Sequence, residues 1–176
     1  LLPELIDEIA QIEGVKWIRL HYAYPTDFPE DLLDVMAKHP NVCKYLDIAL
    51  QHCSGHMLSL MRRHITRAEQ DALIRKIRER VPGICIRTTL LVGHPGETEE
   101  DFEETLDVVN KCKFDGAFTF AFSPRENTPA ALMKETVSEE VKMDRLHRLN
   151  EVVNKYSNEA NKKMMGKTVK CLVTGL

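Results

Sequence analysis

The chain predicts an α/β fold, a partial (β/α) barrel on a parallel sheet, and three observations carry that reading. Apolar runs of strand length at residues 15–20, 45–50, 84–92 and 117–122 alternate with amphipathic segments of helical period, the pattern of βαβ units. The later runs end in polar or Gly/Pro loops, where parallel α/β folds keep their working residues. Hydrophobic residues make up 43% and charged residues 29%, enough for a packed core, and no apolar run approaches the roughly 20 residues of a membrane helix.

The elements follow in order. Leu5, Ile6, Ile9 and Ile12 mark an amphipathic first helix that Gly14 ends, and residues 15–20 read as a first strand. Pro29 stands at a first-turn position, where its missing N–H is harmless, and opens a helix with Leu32, Leu33, Val35 and Met36. Residues 45–50 form the second strand; a polar loop at 51–55 leads to a short helix with Met57, Leu58, Leu60 and Met61. Thr66-Arg67-Ala68-Glu69 is a capping-box sequence, and its helix carries Ala72, Leu73, Ile77 and Val81 as far as Pro82-Gly83. The third strand, residues 84–92, ends in a Gly/Pro turn; Thr98 then caps a helix with Phe102, Leu106 and Val109.

Residues 117–122 read as the fourth strand, and the Pro-rich loop 123–129 ends the alternation. Ser138 caps a long helix to about Met164, and Gly166 stops it. Residues 168–174 alternate like a strand with too few partners to stand alone. The expected organisation is a partial barrel over 1–133, a linking helix over 134–166 and the start of a truncated β-domain over 167–176. Four βα units make half an eightfold barrel, and no Met opens the chain, so a piece of a longer protein is expected.

Charge is uneven. Residues 134–176 hold nine Lys and Arg against six Asp and Glu, whereas residues 1–133 hold 15 against 21. A basic tail on an acidic body points to an anionic partner for the tail, or to a plain solvated helix face. The five cysteines are odd in number and widely spaced, which speaks against a disulfide framework and for a reducing, cytoplasmic setting.

Candidate site residues lie after the strands. His21, Tyr22 and Tyr24 follow the first, Gln51, His52 and Ser54 the second, and Ser123 and Arg125 the fourth. On the third strand Arg87 and Thr89 share a face by the two-residue period. Polar groups in a parallel strand need partners, so Arg87 takes either Asp47 on the neighbouring strand or an anionic ligand. Gly93 and Gly96 let the backbone approach a ligand closely, or simply make a structural turn. His21, His52, His56 and His94 fall near the same end; Gly55 interrupts the HxxxH spacing and no HExxH exists, so no metal site is expected from them.

Several segments together resemble the radical S-adenosylmethionine methylthiotransferases: Trp17-Ile18-Arg19-Leu20-His21-Tyr22-Ala23-Tyr24-Pro25, Tyr45-Leu46-Asp47-Ile48-Ala49-Leu50-Gln51-His52-Cys53-Ser54, the run from Arg87 through Gly93-His94-Pro95-Gly96-Glu97-Thr98 to Phe102, and Phe122-Ser123-Pro124-Arg125-Glu126-Asn127-Thr128-Pro129-Ala130-Ala131. The resemblance implies a partial barrel followed by a short β-domain, with S-adenosylmethionine bound at the strand ends. It implies that Gln51 and Ser54 lie near the cofactor and that Arg87 and Thr89 face its ribose and carboxylate. Gly93, Pro95, Gly96 and Glu97 match the adenine-side turn, and Phe122 matches the strand edge that meets the adenine. The family's CxxxCxxC, which holds a [4Fe–4S] cluster, is not in this sequence, so this chain alone is expected to be inactive.

The parent enzyme implied by the resemblance takes a hydrogen from an unactivated carbon and attaches a methylthio group. Residues 22–25 and 50–52 look like the enzymes that modify an aspartate of a small-subunit ribosomal protein. Residues 123–131 look more like those that modify a tRNA adenosine. The ribosomal protein is favoured, and neither DNA nor a membrane is expected as a partner. A truncated sheet edge invites self-association. Two other classes compete. A lysine-dependent half-barrel aldolase or lyase is weakened because no lysine falls in residues 45–50, 84–92 or 117–122. A non-catalytic module would grip RNA with its basic C-terminal helix.

Overall fold

A computed structural model describes residues 1–173. Three parallel strands, β1 Tyr45–Gln51, β2 Cys85–Val92 and β3 Gly116–Ala121, form one sheet in the order β1-β2-β3. The expected first strand is reduced to two isolated parallel bridges, Ile18 to Val42 and Ala23 to Ile48. Between them Tyr22 adopts φ 66°, a left-handed conformation that breaks an extended run. The segment therefore frays along the β1 edge, held by Ala23 N–H donating to the Asp47 carbonyl at 2.6 Å.

Among the described residues six helices accompany the sheet: α1 Leu2–Ala10, α2 Asp31–Lys38, α3 Gly55–Leu60, α4 Arg67–Arg80, α5 Glu99–Cys112 and α6 Glu139–Lys162. A 3-10 turn covers Pro129–Leu132. Helix starts follow local side-chain chemistry. Ser54 caps α3, Thr66 and Glu69 make a reciprocal capping box on α4, Thr98 and Asp101 make another on α5, and Ser138 caps α6. Each such cap satisfies amides that the first turn leaves without partners and stabilises by about 1 kcal/mol.

The two faces of the sheet differ. On one side Leu46, Ile48, Leu50, Ile86, Leu90 and Val92 are buried against Ile77 of α4, Phe102 and Val109 of α5, and Leu149 and Val153 of α6. Burying each such side chain contributes about 2 kcal/mol. On the other side Cys85, Arg87, Thr89 and Leu91 are only half-buried, while Phe118 and Phe120 are 47% and 52% exposed. That face corresponds to the interior of the expected barrel.

Residues 168–173 carry no strand, which corrects the expected opening strand of a β-domain; residue 174 of that expectation lies outside the described residues. No strand stands beside the segment to hydrogen-bond with it, and alternation alone does not hold an extended chain. Among the described residues no helix is long and apolar enough to cross a membrane.

Candidate functional site

A cleft of about 680 Å³ opens at the carboxyl ends of the strands. Gln51, Thr89, Leu91, His94, Phe120 and Phe122 line it, with Met61, Arg62, Ser123, Arg125 and Met133 around them. Gln51 ends β1 at φ 70°, just past a register shift that follows Ile48. Thr89 and Leu91 share a face of β2 because side chains alternate. Phe122 continues β3 by donating its N–H to the Val92 carbonyl at 2.8 Å. Its ring meets His94 edge-on, centroids 4.9 Å apart at 64°. Three expected site residues, Gln51, Thr89 and Phe122, thus share one cavity.

The other six stand elsewhere. Arg87 occupies the same sheet face two residues below Thr89, where its Nε donates to Asp47 Oδ2 at 2.9 Å and Nη2 bonds the same oxygen. Of the two partners left open by the sequence, the structure supplies Asp47. That bond raises the Arg87 pKa, and Phe118 stacks on the guanidinium at 4.3 Å. The ion pair occupies the floor below the cleft.

Ser54 is buried as the α3 cap, and its hydroxyl donates to Asp101 Oδ1. Asp101 also accepts from the Thr98 N–H at 2.9 Å and pairs with His56 Nδ1 at 2.9 Å. Burial alone would raise the Asp101 pKa, but the bonds from Ser54, Thr98 and His56 outweigh it and hold it at about 2, against an ordinary 3.8. A lowered folded-state pKa means stability present above pH 3.8 and lost as pH falls towards 2. Asp101→Asn is therefore expected to remove about 2 kcal/mol at neutral pH. Urea denaturation across pH should show the difference from the unmodified protein vanishing on acidification; a constant difference would contradict it.

The glycine turn packs behind the cleft. Gly93, at φ 76°, donates its N–H to Glu97 Oε2, and Gly96, at φ 91°, donates to Thr136 Oγ1 at 2.7 Å. The Glu97 side chain is fully buried, with Arg145 Nη1 at 3.6 Å and His52 Nε2 at 3.5 Å. His52 Nδ1 accepts from the Ser54 N–H at 3.1 Å and lies 3.2 Å from the Thr105 hydroxyl, so its proton sits on Nε2, towards Glu97. Glu97 thus binds the turn to α6. Pro95 contributes its carbonyl to His94 Nδ1 at 2.8 Å. Of residues 93–97, His94 lines the cleft and the others hold it in place.

The cleft's chemistry suits a nucleoside-sized ligand. Its volume lies in the range of small-molecule sites, Gln51 and Thr89 offer an amide and a hydroxyl, and Phe120 and Phe122 offer aromatic surface. A metal cluster does not fit: among the described residues no three His, Cys, Asp or Glu side chains gather as ligands. Burial pushes the Cys53 thiol far above its ordinary pKa and Cys112 up to about 11, disfavouring the thiolates a cluster needs. His52 and His56 are engaged with Thr105 and Asp101, and His21 lines a different hollow beside Tyr22 and Phe28.

Leu91, Phe120, Met61, Met133 and Arg62 were not foreseen in the cleft. Leu91 and Phe120 were legible by counting two along each strand from Thr89 and Phe122. Arg62 was not, because it reaches the cleft through a left-handed turn at φ 54° after α3.

Comparisons with known proteins bear on this geometry. The sequence profile of the Radical SAM superfamily matches residues 1–109. The chain is 53% identical over 173 residues to a Phocaeicola vulgatus protein named ribosomal protein uS12 methylthiotransferase RimO, covering 98% of this chain and 40% of that protein. A Flavobacterium johnsoniae protein of the same name is 45% identical over 172 residues, covering 98% and 39%. The chain thus spans about 40% of the length of the curated relatives it matches. Among solved structures it superposes on the Escherichia coli coproporphyrinogen III oxidase HemN, a radical SAM enzyme, with TM-score 0.67 and 22% identity over 88% of this chain and 36% of that one. It also superposes on methylornithine synthase PylB, with TM-score 0.60 and 16% identity over 86% and 42%. At these identities the likeness concerns the fold, a parallel α/β partial barrel.

Proposed function

The chain belongs to the Radical SAM superfamily, and from that premise we propose that it is the cofactor-binding part of a methylthiotransferase acting on ribosomal protein uS12, the activity its relatives are named for. The observation that supports this most is the convergence of Gln51, Thr89, His94 and Phe122 on one cleft at the strand ends. In this reading S-adenosylmethionine, bound together with a reduced [4Fe–4S] cluster held by residues outside this chain, supplies one-electron chemistry at an unactivated carbon and a methyl group.

This chain's residues bind and orient. The Gln51 amide and Thr89 hydroxyl make neutral hydrogen bonds to the nucleoside, Phe122 and His94 pack beside its base, and Leu91 and Phe120 exclude water. Arg87 and Asp47 act from below as a fixed ion pair that supports Thr89. Ser54, Gly93, Pro95, Gly96 and Glu97 act by holding the loops rather than by touching the ligand. Calorimetric titration with S-adenosylmethionine tests this. Gln51→Ala and Thr89→Val are each expected to weaken binding about tenfold. No heat from the protein carrying its cluster, or an affinity in both variants equal to that of the unmodified protein, would overturn the reading.

A tRNA adenosine is the second substrate reading, carried by residues 123–131, which resemble the tRNA enzymes and contribute Ser123, Arg125, Thr128, Pro129 and Ala130 to the cleft rim. Mass spectrometry of uS12 and of tRNA after turnover decides between them. Residues 1–133 serve as the partial barrel, 134–166 as the linking helix and 167–176 as the entry to a C-terminal β-domain. The five free cysteines suit a cytoplasmic setting. The unpaired outer edge of β3 and exposed Phe118 and Phe120 favour self-association where nothing covers them.

A further inference from the structure

We propose that residues 123–134 form a lid that closes over S-adenosylmethionine in the cleft, hinged at Phe122 and Thr136 and driven shut by burial of Leu132. The inference rests on the cofactor-cleft reading and adds the moving part of that site.

The pattern of bonds carries it. Among the described residues, no hydrogen bond or ion pair joins any residue from Ser123 to Lys134 to another part of the chain, and none of them is buried. The segment bonds only to itself. Thr128 donates its N–H and its hydroxyl to the Arg125 carbonyl at 3.3 and 2.7 Å, Ala131 donates to the Thr128 carbonyl at 3.1 Å, and Met133 donates to the Ala130 carbonyl at 3.3 Å. Pro124 and Pro129 fix φ at two further points. The result is a stiff unit with nothing tying it to the body, and segments of that kind open and close at low cost.

Its two feet are firmly held. Before it, the Phe122 N–H donates to the Val92 carbonyl at 2.8 Å and the ring lies against His94. After it, Thr136 Oγ1 accepts from the Gly96 N–H at 2.7 Å, Glu135 grips Lys142 at 3.0 Å, and Val137 is buried. Both feet thus stand on the turn that carries His94 into the cleft. Two fixed points define one axis, so the unit between them rotates towards or away from the cleft mouth.

Apolar exposure gives the direction. Leu132, on the 3-10 turn, is 90% exposed and adjoins Met133, which lines the cleft; Phe120 of β3 lines the same cleft and is 52% exposed. Inward rotation removes this surface from water by packing it against the nucleoside. A closed lid excludes solvent from the cleft and retains the ligand until it reopens.

Hydrogen exchange read by mass spectrometry tests this on the protein carrying its cluster, with and without S-adenosylmethionine. Amides of residues 125–134 are expected to exchange freely in the free protein and about tenfold more slowly with S-adenosylmethionine bound, while those of α1 do not change. Leu132→Ala, at a site too exposed to disturb folding, should raise the dissociation rate of S-adenosylmethionine about tenfold with the association rate unchanged, as measured by rapid filtration of the tritiated cofactor. Leu132→Met should restore slow release. Leu5→Ala, at an apolar residue 51% exposed on α1, should leave both rates as they are. Exchange at residues 125–134 that is equally fast in the free and ligand-bound protein would overturn the lid while leaving the cleft reading intact. Slow exchange of those amides before any ligand is added would overturn it in favour of a fixed wall. Protection by uS12 and not by S-adenosylmethionine would overturn it in favour of a docking site for the polypeptide. Absence of S-adenosylmethionine binding in the unmodified protein would remove the cleft reading, and the lid with it.

Discussion

Gly93→Val is expected to destabilise the protein by about 3–4 kcal/mol, combining left-handed strain with overpacking. Gly93 stands at φ 76°, where a β-branched residue is strained, and a Cβ there would run into Lys142 Cγ. That carbon belongs to the middle of a buried side chain whose ammonium is tied to Glu135 at 3.0 Å and Glu139 at 2.8 Å, so it cannot swing aside. Gly83 supplies the comparison: it has a similar φ of 80° but nothing within 4 Å, so Gly83→Ala should cost only about 1 kcal/mol of left-handed strain. Adding Lys142→Ala to Gly93→Ala should recover the steric part and leave the strain. Urea denaturation measures all of these, and a Gly93→Val midpoint near that of the unmodified protein would refute the packing account. Because the turn carries His94 into the cleft, the milder Gly93→Ala should also weaken S-adenosylmethionine binding.

Loss of Arg145 is expected to cost about 3 kcal/mol, because it leaves a buried charge without its counterion. The Glu97 side chain is fully buried, and Arg145 approaches it at 3.6 Å while donating to the Glu97 carbonyl at 3.3 Å. Arg145→Ala strands that carboxylate, with only the Gly93 N–H and His52 nearby. Replacing both charges with shapes of similar volume, Glu97→Gln with Arg145→Met, should therefore be less harmful than Arg145→Ala alone. Equal stability of Arg145→Ala and the unmodified protein would show that the ion pair contributes nothing. Arg148, half-exposed between Glu99 and Glu103, should matter far less, since exposed pairs contribute at most about 1 kcal/mol.

These two sites show where the sequence stopped being legible. The basic C-terminal helix read either as an offer to an anionic partner or as a solvated face; three of its bases, Lys142, Arg145 and Arg148, are instead taken up by acids of this same chain. Glu97 read as part of a ligand-facing turn, and its carboxylate points instead at a backbone amide behind the cleft. Ser54 read as a loop residue beside the cofactor, and its hydroxyl is taken by the α3 cap and Asp101. Residue type showed that polar partners were required, while several of those partners lay more than 40 residues away in the chain: Asp101 for Ser54, Glu97 for Arg145, and Glu99 and Glu103 for Arg148.

The sequence by itself determined the helices and their starts, the three full strands, the βα alternation and the likeness to the radical S-adenosylmethionine enzymes. Those features rest on hydrogen bonds within one turn of chain and on side-chain periods of two or 3.6 residues, which a linear string displays. Only the tertiary structure decided which polar groups face the cleft and which face one another. Asp47 meets Arg87 because parallel pairing sets those two positions side by side in register, and Thr89, two residues on, reaches the cleft above them. Such choices depend on register and helix packing between distant segments, and small differences in either redirect a side chain from a ligand to a neighbour.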